Sequence, residues 1–113
     1  MAGTHNIVAD QGATFHLDFT IKIDGVPWNL SSYAIRMQVR SDVNTAVKLL
    51  NLSKANGDIT SDSLGQVGIT VSATEMTAIP AGRHVYDIEV ESTGGEVTRI
   101  LEGRFAVPAE VTR

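Results

Sequence analysis

The sequence predicts an all-β domain, and three observations support that prediction. Apolar residues recur at every second position in several stretches of strand length, as expected when one face of a strand meets a core. Short clusters of Gly, Asn, Asp and Ser, which favour turns, separate these stretches. The chain has 113 residues, 42% of them hydrophobic, and it contains no cysteine. We therefore expect a single domain over residues 1–113 with one core and no disulfide framework.

The first two strands are the clearest. One covers residues 15–23, and its apolar face is formed by Phe15, Leu17, Phe19, Ile21 and Ile23. Asp24-Gly25 follows and predicts a type I′ hairpin turn, because both residues tolerate a positive φ. Pro27 cannot donate a hydrogen bond to a neighbouring strand, so it places the returning chain at a sheet edge. Residues 33–40 alternate again and predict a second strand with a basic outer face.

The middle of the chain predicts shorter elements. We interpret residues 46–52 as a strand, although their dense apolar residues leave the inward face undefined. A short stretch at Ile59 and a strand over residues 67–71 follow. Ser72 and Glu75 have the spacing of a capping box, which predicts a helix of about one turn before the next proline. Its Met and Ile side chains are expected to face the core.

The last hairpin completes the predicted fold. Gly82 opens it, the chain reverses near Gly94-Gly95, and a two-residue turn there would place Tyr86 opposite Gly103. A glycine in mid-strand is costly unless a large neighbour covers it, and Tyr86 is the expected neighbour. The elements together predict an Ig-like antiparallel β-sandwich of about seven or eight strands with one short helical turn. A barrel is the alternative.

Candidate chemistry on this framework is sparse. The three histidines have no partner at the spacing of metal ligands, and no nucleophile, phosphate-binding or dinucleotide motif is present. Asp58, Thr60 and Asp62 resemble the start of a calcium loop, but Ile69 occupies its twelfth position, where a glutamate is needed, so we interpret them as a solvated turn. We predict no enzyme activity, no cofactor and no metal.

Three acidic residues share one face of the predicted strand in the last hairpin: Asp87, Glu89 and Glu91. Strand geometry spaces them about 7 Å apart, but no cleft or proton-sharing partner is indicated. We interpret them as an outer sheet face that meets Arg104 or a neighbouring subunit.

Charge and hydropathy exclude two classes of partner. The net charge is −4 and basic residues do not cluster, which disfavours binding to nucleic acid. Residues 1–5 lack the pattern of a signal peptide, and no apolar run reaches the roughly 18 residues of a membrane span. We therefore expect neither secretion by a signal peptide nor insertion in a membrane.

Four apolar residues are candidates for an interface. Val85 and Ile100 fall on the otherwise polar outer face of the last hairpin, and Pro27 and Trp28 fall on a predicted edge. Apolar side chains beside an open sheet edge are typical of a docking patch, and the edge itself can accept a partner strand.

Several segments resemble a known family. The chain is similar to small structural proteins of tailed phages and prophages, in particular to the N-terminal domain of baseplate upper proteins. The segments that carry the resemblance span about nine tenths of the chain and are residues 10–15, 24–33, 34–40, 68–74, 85–90 and 97–103. They are strand and turn motifs, and they also fit Ig-like decoration domains of capsids.

The resemblance implies a β-sandwich that attaches one virion component to another. The implied partners are other proteins of the tail, baseplate or fibre, or alternatively of the capsid, in a homo-oligomer within the virion that assembles in the host cytoplasm. The baseplate proteins continue into long fibre or receptor-binding regions, whereas this chain ends at Arg113, so we expect a free-standing adaptor, a cement protein or a docking subunit for a separate fibre. Residues 3–9 and 108–113 are expected to be connecting arms beyond the sandwich. A carbohydrate-binding module is disfavoured because aromatic residues are few.

Overall fold

Strands make up most of the fold. The computed structural model describes residues 3–45 and 47–109. In chain order, the described elements are β1 (Gly3–Thr4), β2 (Ile7–Val8), β3 (Phe15–Thr20), β4 (Lys22–Ile23), β5 (Val26–Pro27), β6 (Ala34–Arg40), β7 (Leu50–Ser53), β8 (Ile59–Ser61), β9 (Gln66–Val71), α1 (Ala73–Thr77), β10 (Gly82–Glu91) and β11 (Val97–Val107).

The strands form two main sheets and one separate hairpin. The larger sheet has the order β1-β11-β10-β6-β7, with β2 also pairing with β11, and the smaller sheet has the order β3-β9-β8. Strands β1 and β2 run parallel to β11, the other pairings are antiparallel, and β4 pairs with β5. In the immunoglobulin fold, strands B, E and D lie in one sheet and G, F, C and C′ in the other. The smaller and larger sheets reproduce those two orders, so the predicted all-β, Ig-like sandwich is confirmed.

The core lies where the inner faces of the two sheets meet. Phe105 of β11 is fully buried, and its ring packs edge-to-face against Phe15 of β3 at 5.6 Å and against Tyr86 of β10 at 6.3 Å between centroids. Along β10, buried residues alternate with half-buried ones from His84 onward. This alternation is the cause of the sandwich, because each strand buries one apolar face and leaves a polar face outside.

The first predicted strand is shorter than expected. It ends at Thr20. The Ile21 amide still donates to the Gly65 carbonyl at 2.8 Å, in register with β9, and the chain then leaves the sheet as the β4–β5 hairpin. Ile23 is therefore 50% exposed and not in the core. The hairpin turn itself is confirmed, with φ of 52° at Asp24 and 79° at Gly25.

The predicted strand over residues 46–52 is also corrected. The strand begins at Leu50, Val47 is 66% exposed, and Ala46 lies outside the described residues. A turn occupies residues 42–45, since the Asp42 carboxylate accepts hydrogen bonds from the amides of Asn44 and Thr45. An Asp that bonds the amides two and three residues ahead favours a turn over a strand.

The N-terminal segment belongs to the sandwich, so the expectation that residues 3–9 form an arm is wrong. The His5 amide donates to the Glu102 carbonyl and the Ala9 amide to the Ala106 carbonyl, each at 2.9 Å. The side chain of Ile7 is 4% exposed, so it is part of the core. At the other end, Pro108 and Ala109 are exposed after β11, and residues 110–113 of the predicted C-terminal arm lie outside the described residues.

The short helix and the last hairpin are confirmed. Ser72 caps α1, its hydroxyl accepts from the Glu75 amide and donates to the Glu75 carboxylate, each at 3.2 Å, and Met76 and Ile79 are buried. Tyr86 pairs with Gly103, but not through the predicted two-residue turn. The Ser92 amide donates to the Glu96 carbonyl around a three-residue loop, and an extra residue in β11 between Arg99 and Leu101 restores the pairing. The expectation that Tyr86 covers this glycine is wrong, because the backbone of His5 in the N-terminal segment occupies the space over it.

Candidate functional site

The outer face of the larger sheet carries a groove of ≈ 520 Å³, which we call the charged groove. Its walls are outward-facing side chains of three neighbouring strands. Strand β6 contributes Arg36 and Arg40, β10 contributes acidic side chains, and β11 contributes further arginines. Alternation along each strand places every second residue on this face, so charges from three distant segments meet in it.

The charges in the groove form cross-strand pairs. Arg36 bridges two residues of β10, with its Nε 3.1 Å from Glu89 Oε1 and its Nη1 3.0 Å from Glu91 Oε1. On the other side of β10, Arg99 Nε lies 3.4 Å from Asp87 Oδ2. The predicted outer position of the three acidic residues is confirmed, but their partners are Arg36 and Arg99 and not Arg104. Because the paired side chains are partly exposed to solvent, each pair contributes at most about 1 kcal/mol to stability.

Two of the charged groups in the groove have shifted pKa values. Burial raises the pKa of the Asp87 carboxyl, the neighbouring Glu89 carboxylate raises it further, and Arg99 opposes the shift. The pKa of Arg36 is raised by its hydrogen bonds to Glu91 and Glu89. The folded protein therefore disfavours the charged form of Asp87, whereas Arg36 stays charged at every physiological pH.

One end of the groove is basic and apolar, and we call it the basic end, formed by Arg40, Val85 and Arg104. Val85 pairs with Arg40 on one side and with Arg104 on the other, so this half-buried apolar residue lies between arginines of the two neighbouring strands. Arg40 donates to the Thr45 carbonyl and to Gln38 Oε1, each at 2.9 Å. Neither arginine forms an ion pair within the part of the chain that the structure describes.

Ile100 does not share this face, and its predicted outer position is wrong. Ile88 pairs with Leu101 and Glu89 pairs with Arg99, which leaves Ile100 as the extra residue of a β-bulge. A bulge shifts the alternation by one residue. Ile100 is consequently 8% exposed and packs in the core. Regular alternation of the sequence gives no signal of this bulge.

The other two candidate interface residues lie elsewhere. Pro27 is exposed in β5, and Trp28 follows it, half-buried, with its ring edge-to-face to Tyr33 at 5.3 Å between centroids. Both belong to the hairpin that continues strand β3 of the smaller sheet, whereas Val85 lies on the larger sheet. The structure therefore does not bring the four residues into one patch, and their role as an interface stays a prediction.

The outer face of the smaller sheet carries a second groove, of ≈ 560 Å³. A Cβ on Gly68 would lie 2.9 Å from Thr60 Oγ1 and 3.0 Å from Asp18 Oδ1, so the missing side chain lets these two polar groups converge. The nearby Asp62 carboxylate accepts from the Leu64 and Gln66 amides at 2.8 and 3.0 Å and serves a turn, as the sequence indicated.

The described ranges contain neither a metal-binding cluster nor a helix that could span a membrane. Residues 3–45 and 47–109 contain no group of three or more His, Asp or Glu side chains arranged to hold a metal ion. Within the same ranges no helix has the length and apolar character needed to cross a membrane.

The fold and the two grooves define an Ig-like sandwich with a charged outer face. Comparison of the chain with protein-family models and with curated proteins finds no match.

Proposed function

We propose that the chain is a non-enzymatic structural subunit of a tailed-phage virion, an adaptor that joins a tail, baseplate or fibre component to its neighbour. The observation that carries the proposal is the basic end of the charged groove, where Val85 lies between two arginines that have no ion pair among the described residues. Arginine is enriched at protein interfaces, and an apolar residue flanked by charge is typical of a docking surface.

The family resemblance supports the same surface. Among the segments that resemble phage structural proteins, residues 34–40, 85–90 and 97–103 lie in β6, β10 and β11. These strands form the walls of the charged groove. The partner would present a carboxylate to Arg40 or Arg104 and an apolar side chain to Val85.

Fractionation of purified particles tests the role. Heads and tails of the phage that encodes this chain are separated, and the chain is quantified in each by mass spectrometry. A low and fixed copy number in tails is expected. Many copies on heads would identify a capsid decoration protein instead, and absence from both fractions would refute a virion role.

Matched variants test the surface. Val85→Glu places a carboxylate between the two arginines and removes the apolar contact, so incorporation into tails should fall at least about tenfold. Ser63→Glu adds the same charge at an exposed turn and should incorporate normally. Equal incorporation of both folded variants would exclude the basic end as the docking surface.

A carbohydrate-binding module is a weaker candidate. Such sites use exposed aromatic platforms, whereas Trp28 is half-buried and its ring packs edge-to-face with Tyr33.

A further inference from the structure

Strand β3 has an open edge in the smaller sheet. In an antiparallel pair, alternate residues bond the neighbouring strand, and the residues between them point their N–H and C=O groups the other way. The Ile21 amide bonds the Gly65 carbonyl at the position that continues the β3–β9 register, so the odd-numbered residues face β9. The backbone groups of His16, Asp18 and Thr20 consequently point outward, and no described residue bonds them.

The following hairpin leaves this edge uncovered. The Ile21 carbonyl accepts from the Trp28 amide at 3.0 Å, and the Ile21 amide donates to Gly65 on the β9 side. The backbone N–H and C=O of one residue point to the same side of a strand. The hairpin therefore turns toward β9 and away from the open edge.

The β7 edge of the larger sheet is partly covered by comparison. Ser53 of β7 accepts from the Asp58 amide at 3.2 Å, and its own amide donates to the Asp58 carboxylate at 3.4 Å. These bonds use the outward groups at one end of a four-residue strand. Strand β8, at the other edge of the smaller sheet, has only three residues, so β3, with six, offers the longer of that sheet's two edges.

Apolar side chains lie incompletely covered beside the open edge. Leu17 and Phe19 pack against the core from the inner face of β3, yet both remain half-buried, whereas Phe15 is 8% exposed. A further strand at this edge would cover them. Open edges with uncovered apolar side chains are the usual site of strand addition.

We propose that a second copy of this chain occupies the edge, with the two β3 strands antiparallel about a twofold axis at Leu17. His16 of one copy then lies opposite the partner's Asp18, and Asp18 opposite the partner's His16. Leu17 lies opposite the partner's Leu17. Two cross-strand pairs of opposite polarity form on the outer face, and four backbone hydrogen bonds form from residues 16 and 18 of both copies.

Charge selects this register over its neighbours. An axis at Asp18 places two carboxylates directly opposite each other, about 5.5 Å apart at Cα, which is unfavourable. An axis at Phe19 places Asp18 opposite the partner's Thr20 and leaves His16 beyond the end of the partner's β3. Only the axis at Leu17 opposes His and Asp in both pairs. Nδ1 of His16 already lies 3.2 Å from Thr70 Oγ1, which leaves Nε2 to donate to the partner's carboxylate.

Complementary variants test both the dimer and its register. Sedimentation velocity of the purified chain should show a concentration-dependent dimer. His16→Asp places Asp opposite Asp, and Asp18→His places His opposite His, so each variant alone should dimerise about two- to thirtyfold more weakly. An equimolar mixture of the two restores both opposite pairs and should form a heterodimer of wild-type affinity.

Asp18→Pro supplies an independent variant. Its amide points outward, so proline removes no bond to β9 and adds a ring at the dimer edge. The variant should keep the circular dichroism spectrum and stay monomeric. A wild-type chain that is monomeric up to about 1 mM overturns the proposal, as does a dimer that persists in folded Asp18→Pro. A mixture of the two charge variants that does not associate overturns the register. These measurements in solution do not depend on the proposed virion role.

Discussion

Gly103→Ala tests how the N-terminal segment crosses the larger sheet. A methyl group at this position would overlap the carbonyl of His5, and Asn6 Oδ1 would lie 3.1 Å away. The obstacle is backbone, which cannot rotate aside as a flexible side chain does. The segment that carries His5 must therefore shift away from β11.

The expected loss follows from the contacts around His5. The Tyr86 hydroxyl donates to the His5 carbonyl at 2.5 Å, and the net value of such a bond is about 1 kcal/mol. Overpacking against a fixed neighbour costs about 1–3 kcal/mol, partly offset by about 0.4–1 kcal/mol because alanine restricts the unfolded chain. We expect a net destabilisation of about 2 kcal/mol, or about 8 °C in Tm for a domain of this size.

Guanidinium unfolding followed by circular dichroism measures this loss. Gly94→Ala is the matched control, because the nearest atom to its Cβ is Ser92 Oγ at 3.8 Å and its stability should change by less than about 0.5 kcal/mol. Hydrogen exchange should show lost protection at the His5 and Ala9 amides in Gly103→Ala alone. Equal midpoints of guanidinium unfolding for the two variants would refute the close passage of the N-terminal segment over Gly103.

Three further predictions concern single side chains. Tyr86→Phe should lower stability by about 1 kcal/mol at pH 7, measured by chemical unfolding. Burial raises the pKa of Tyr86 from 10.0 to about 12, so above pH 10 the unfolded chain loses the proton first and wild-type stability falls, by at most about 1.4 kcal/mol per pH unit. Asp87→Asn should raise Tm at neutral pH, because the fold raises the pKa of this carboxyl and thereby disfavours its charged form. That gain should vanish below pH 3.8, where both states of the wild type are protonated. Ile100→Ala should cost about 2–5 kcal/mol as a core truncation, whereas Val85→Ala on the outer face should cost less than about 1 kcal/mol.

Each of these predictions has an outcome that contradicts it. A parallel fall in the stability of wild type and Tyr86→Phe above pH 10 would assign the pH dependence to other groups. A lower Tm of Asp87→Asn at neutral pH would mean that the Arg99 ion pair outweighs the burial of the carboxylate. Equal costs for Ile100→Ala and Val85→Ala would place both side chains on the same face and exclude the bulge.

Alternation in the sequence predicted the long strands well. The core residues of β3, β6, β9 and β10 follow the expected faces, and the Asp24-Gly25 turn and the Ser72 cap are where local chemistry required them. These features depend on side chains close together in sequence. Their physical causes, a period of two and local hydrogen bonds, can therefore be seen without the fold.

The candidate interface was less predictable, as Ile100 shows. A bulge arises when two strands pair with different numbers of residues, so its position depends on both partners and on the packing between them. The cross-strand ion pairs of Arg36 join residues 53 and 55 positions apart. No local pattern indicates which strands will become neighbours.

The sequence by itself determined the fold class, the inward face of the long strands, the hairpin turn and the helix cap. Tertiary structure alone decided that residues 3–9 complete the larger sheet, that Ile100 is buried, and that Arg40, Val85 and Arg104 meet at one end of a groove. The physical reason is the separation in sequence between the residues that interact. Turns, caps and alternation are fixed by neighbours in the chain, whereas two-residue strands, bulges and grooves are fixed by contacts between distant segments.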